Sequence, residues 1–191
     1  MAKSQPEPWL RGTHVEIPPV PRAVIHALEL AQEDLATWCA DLTEQELAAT
    51  PSGLPSVTFQ LRHISRSVER LLTYAEGNQL NARQLEEINT ESKVDAASAG
   101  LLEEVRKTVA EGSNRIRKLG ENSGMLYEPR TVGRKNIPTT VAGLLIHVAE
   151  SHAAARGAGD NYSEGVAVTT RLTGLRFSAE RQRPNCQAYV H

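Results

Sequence analysis

At 191 residues and 20.9 kDa the chain suits one domain with a sizeable core and is short for two. With 40% apolar and only 4% aromatic residues it reads as a globular, helix-favouring chain, and a formal charge of -2 with a pI near 6.3 lacks the positive field that nucleic-acid binding needs, so nucleic acid is excluded as a partner. The longest apolar stretch, Val141 to Ala149, is too short for a bilayer span, no hydrophobic leader opens the chain, and two cysteines are too few for a disulfide framework; no membrane partner and a cytoplasmic location are the expectation.

Pro6, Pro8, Pro18, Pro19 and Pro21 predict an extended or turned N-terminal arm over residues 1–21, lying on the domain. From Arg22 the period becomes helical: Val24, Leu28, Ala31, Leu35, Trp38 and Leu42 alternate steps of four and three, with Cys39 read as a small core residue. Thr43 and Glu46 form a capping-box signal for a short helix, which Pro51, Gly53 and Pro55 break. A second long helix starts near Ser56 or Thr58 and carries Val57, Leu61, Ile64, Val68, Leu71 and Ala75 until Gly77 stops it. Asn81 caps one or two further turns in which Leu85 and Ile88 share a face.

A third long helix is predicted from about Ala96 to Leu119, with Leu102, Val105, Val109, Gly112, Ile116 and Leu119 as its seam, followed by a connection with little regular structure from Glu121 to Pro138. The fourth opens at Thr139 or Thr140 and places Val141, Leu144, Leu145 and Val148 on one face. Four such seams imply an all-α four-helix bundle over residues 1–155. After Ala155 neither helical nor strand periodicity survives, and residues 156–191 read as an irregular tail.

His63 sits beside the buried stripe of the second long helix and His147 beside that of the fourth, so two helices each offer an imidazole to the bundle interior, with Glu150 at i+3 from His147 as an oxygen ligand or supporting carboxylate. His63, His147 and Glu150 are therefore the candidate metal ligands. His14, His26 and His191 show no metal-ligand neighbour at useful spacing and read as surface or structural, and Arg62, Arg66 and Arg70 read as a solvated charged face. No phosphate loop, nucleophile elbow or paired-cysteine zinc pattern is present.

The phrases Glu7-Pro-Trp-Leu-Arg-Gly12, Leu61-Arg-His-Ile64, Arg70-Leu-Leu-Thr-Tyr-Ala-Glu-Gly77, Pro138-Thr-Thr-Val and Gly143-Leu-Leu-Ile-His-Val-Ala-Glu150 resemble the DinB family of metal-binding four-helix proteins, over about three quarters of the chain. The resemblance implies a DinB/YfiT-like up-up-down-down bundle, a homodimer, and a divalent ion such as zinc or nickel held by one histidine of the second helix and an HxxxH pair of the last. His63 matches the first position, whereas Ser151 and Ala155 stand where the pair belongs. Codons for Ser151-His-Ala-Ala-Ala-Arg-Gly-Ala-Gly159, read one nucleotide later, can encode His-Thr-Gln-Arg-His-Val-Gly-Gln, so an out-of-frame tail from about Ser151 is weighed equally with divergence that discarded the metal. The function implied is a metal-dependent thiol transferase or hydrolase acting on a small-molecule substrate, a low-molecular-weight thiol; the alternative is a non-catalytic helical scaffold or dimerisation protein.

Overall fold

Proline opens the first long helix instead of delaying it. In the computed structural model, which describes residues 5–90 and 100–150, α1 runs from Pro19 to Cys39. Pro19 and Pro21 fall in its first turn, where no intrahelical N–H bond is lost, so the helix begins at Pro19 and not at Arg22. The arm before it lies on the domain as expected, but turned: Pro8–Leu10 forms a 3-10 turn, and buried Ile17 pins the segment to the core.

The short α2, Glu44–Ala48, carries the predicted capping box, with Thr43 accepting from the Glu46 N–H and the Glu46 carboxylate accepting from the Thr43 N–H at 2.9 Å. Helix α3, Val57–Ala75, starts where the Ser56 hydroxyl accepts from the Phe59 N–H and stops before Gly77, whose φ of 82° few other residues adopt. In α4, Ala82–Thr90, Asn81 accepts from the Gln84 N–H as a cap. Leu85 and Ile88 face outward there, and it is Gln84 that is buried, satisfied by donating to the Thr73 hydroxyl at 2.9 Å. Helix α5 spans Leu101–Gly120; Leu101 takes the buried position expected of Leu102, which lies 36% exposed. The expected start near Ala96, the tail over 156–191 and the positions of Ser151 and Ala155 lie outside the described residues.

The connection expected to be irregular contains regular structure. After a 3-10 segment at Ser123–Tyr127, β1 (Pro129–Val132) pairs antiparallel with β2 (Ile137–Thr140), Arg130 opposite Thr139. Arg130 docks this hairpin on the end of α3 by donating from Nε to the Ala75 carbonyl at 2.9 Å. Helix α6 follows over residues 141–150, its first turn capped by Thr140, whose hydroxyl accepts from the Gly143 N–H at 3.1 Å.

The fold is all-α apart from that hairpin. One apolar core joins the long helices: Ile25 and Leu28 of α1, Leu61, Ile64 and Leu72 of α3, Val105, Val109 and Ile116 of α5, and Val141, Leu144, Leu145 and Val148 of α6. Cys39 is buried, and burial pushes its thiol pKa up to about 11. Among the described residues no helix is long and apolar enough to cross a membrane.

Helix α5 comes close to both α3 and α1 at Gly112, where an added Cβ would stand 3.2 Å from Val68, 3.4 Å from Leu72 and 3.9 Å from Leu28. Gly112→Leu has no room for its side chain and should destabilise the protein by about 1–3 kcal/mol. Urea unfolding checks this through a lowered midpoint at unchanged slope.

Candidate metal centre

Arg22, His26, Glu29 and Glu33 recur on α1 at steps of four, three and four, which lines them along one face. That face looks toward the N-terminal segment. Gly12 and His14 both take left-handed backbone conformations, φ 67° and 57°, and these reversals let the segment double back along the helix.

Three of the four polar residues on the face are answered by this segment. Arg11 grips Glu33 with both terminal nitrogens, at 2.6 and 2.7 Å, while its Nε donates to the Pro6 carbonyl. The Thr13 hydroxyl lies 3.1 Å from Nε2 of His26, which is only 7% exposed, and His14 Nε2 lies 2.8 Å from Glu29 Oε1. The two imidazoles tilt toward each other with centroids 5.5 Å apart. From α5, Arg117 brings Nη2 to 3.3 Å from His14 Nδ1 while its Nη1 donates to Asn114. A guanidinium only donates, so this contact assigns the His14 proton to Nε2, facing Glu29.

One donor atom from each of His14, His26 and Glu29 lies within 4.8 Å of the others, the converging group of this kind among the described residues. Two imidazoles and a carboxylate suit zinc or nickel and leave coordination positions open. Ligands of a tetrahedral ion stand about 3.3 Å apart, so the site closes with ångström-scale side-chain movement.

The residues singled out in the sequence stand elsewhere. His63, half-buried on α3, stacks on Phe59 with ring centroids 5.8 Å apart. The side chain of His147 is 61% exposed on α6, its Nδ1 3.5 Å from the Glu150 carboxylate, which is 68% exposed. Neither His147 nor Glu150 converges with His63 in a three-donor group of described residues. The reading of His14 and His26 as lacking ligand neighbours is corrected: His26 is buried with Glu29 at i+3, a ligand spacing present in the sequence, and His14 arrives only through the folding back of the segment. Arg62, Arg66 and Arg70 are half-buried, not a solvated face; Arg66 donates to the Glu87 carbonyl of α4 at 3.1 Å.

The hydrogen bonds from Arg11 hold the Glu33 carboxyl below the usual carboxylate range. A depressed carboxyl contributes stability above its unfolded-state pKa, lost as pH falls through the lowered folded value. Glu33→Gln should therefore cost under about 1 kcal/mol at pH 7, the pair being partly solvated, and nothing once acid has protonated Glu33 in the wild type. Paired urea titrations from pH 7 downward measure the convergence.

Among curated proteins none matches the chain. The sequence profile of the DinB superfamily matches residues 27–154, which runs from the third turn of α1 through the described part of α6. With two thirds of its length so matched, on an all-α framework, this chain belongs to the DinB superfamily.

Proposed function

We propose that this chain is a divalent-metal protein of the DinB type, acting as a thiol transferase or hydrolase on a small-molecule substrate, with zinc or nickel held by His14, His26 and Glu29. The convergence of two imidazoles and a carboxylate carries this reading. The three-histidine arrangement that the family resemblance implies does not fit the residues present: His63 has its place, but Ser151 and Ala155 offer no imidazole. When bound, a zinc or nickel ion supplies Lewis acidity that lowers the pKa of a coordinated thiol or water.

The chain's own residues prepare the site in definite ways. Glu29 and His14 now share the Nε2 proton, and ligation through Nε2 requires that proton to leave and Nδ1 to carry one. Nδ1–H would face the donor Arg117, so loading requires Arg117 to give up His14 while it keeps Asn114. The proposal extends to a low-molecular-weight thiol as substrate and to a homodimer. A second reading, the non-catalytic scaffold, is favoured by one observation: the His14–Glu29 and Thr13–His26 pairs are complete hydrogen bonds that fasten the segment to α1 without an ion.

Metal content of the full chain, desalted after exposure to zinc or nickel, separates the two. The metal reading expects one tightly held ion per chain, a drop in affinity of about 10–100-fold or more in His26→Ala and Glu29→Gln, and tighter binding in Arg117→Met, with His63→Ala unchanged. Absence of a retained ion, or retention indifferent to His26 and Glu29, would leave the scaffold.

A further inference from the structure

On the α1 face just described, Glu33, Glu29 and His26 each meet a partner from the N-terminal segment, and the fourth member does not. The guanidinium of Arg22 has neither a hydrogen bond nor an ion pair among the described residues. Arg22 lines a cavity of about 380 Å³ together with Trp9, Thr13, Val15, Pro19 and His26. That volume lies in the lower part of the range of small-molecule sites, about 300–1,000 Å³.

The wall is chemically two-sided. Arg22 supplies a guanidinium, and the Thr13 hydroxyl can donate to a ligand while it accepts from His26 Nε2, whereas Trp9 and Val15 present apolar surface that stays 61% and 70% exposed. Trp9 is held in place by its indole N–H, which donates to Glu7 at 2.7 Å. Exposed aromatic and branched side chains rimming a concave site are surface that a ligand can cover, and a guanidinium recognises planar oxyanions through paired N–H donors. Glu29 is paired with His14 and Glu33 with Arg11, and neither carboxylate is paired with Arg22.

We infer that this cavity binds a small monocarboxylate with an aromatic or branched apolar body, the carboxylate on Arg22 and Thr13 and the body against Trp9 and Val15. The site shares His26 with the metal group, so a ligand seated here lies beside the open coordination positions, yet its recognition by Arg22 does not require the ion.

Benzoate is the probe, titrated into the full chain with and without zinc and followed by calorimetry and tryptophan fluorescence. Saturable binding is expected in both preparations, at least tenfold tighter than for benzyl alcohol, which keeps the ring and lacks the carboxylate. Arg22→Met, which retains the apolar stem, should weaken benzoate at least tenfold while leaving the melting temperature and the zinc content unchanged. Should that variant fold poorly, Arg22→Lys, which keeps the charge and loses the planar fork, serves in its place and should show a partial loss. Non-saturable binding, or equal binding by wild type and a folded Arg22 variant, overturns the inference. Benzoate binding by a chain that holds no zinc supports it and removes only the metal reading.

Discussion

The structure depends first on how closely α5 approaches its two neighbours. Gly112 presents bare backbone to Val68 and Leu72 of α3 and, slightly further off, to Leu28 of α1, so one missing side chain sets the spacing of three helices. Close packing then follows, because side chains on all three can interdigitate without a void. The far end of α5 repeats the device: a Cβ on Gly120 would stand 2.9 Å from the ring of Pro21. Proline at the start of α1 and glycine at the end of α5 thus fit against each other, and their contact fixes where the first turn of α1 lies.

That placement passes directly to the polar layer. Arg117 projects from the last turns of α5, and only because this end of the helix is seated on α1 does its guanidinium reach His14. The N-terminal segment is held between them by Arg11 on Glu33, Thr13 on His26 and His14 on Glu29, with Ile17 in the core. Solvent screening keeps each exposed pair weak on its own, but they act on one short stretch of chain whose backbone is already constrained by prolines and turns, so the cost of ordering it is shared. Arg22, the member left over, is where that layer parts to form a cavity.

The relation to the DinB superfamily is one of framework. The matched region begins at residue 27, so Glu29 lies inside it, while His14 and His26 precede it. The donors that converge here are thus contributed mostly from outside the shared segment. The region ends at residue 154, one position before Ala155, the second of the two positions at which the resemblance implies histidines. The apolar seams of the matched region are present, while the sequence carries Ser151 and Ala155 at the positions where the resemblance implies a histidine pair; membership by framework therefore does not by itself assign the metal chemistry.

The sequence alone determined the long helices, their seams and most of their ends. Val24, Leu28, Leu61, Ile64, Val105, Val109, Val141 and Leu145 repeat at helical spacing, and Thr43, Ser56 and Gly77 mark boundaries by local chemistry that needs no distant partner. Local pattern did not carry the rest. Leu101 displaced Leu102 and Gln84 displaced Leu85 because burial is decided by which neighbour each side chain meets. The hairpin could have been read from Thr131, Val132, Ile137 and Thr139 flanking a turn that begins at Gly133. His26 and Glu29 stood at ligand spacing on α1, but the third donor, His14, joins them only when a left-handed backbone turn folds the segment back, and no periodicity encodes that reversal. Helix period is a local property of the chain, whereas the meeting of His14, Glu29 and Arg117 is made by contacts between residues far apart in sequence, which tertiary packing alone decides.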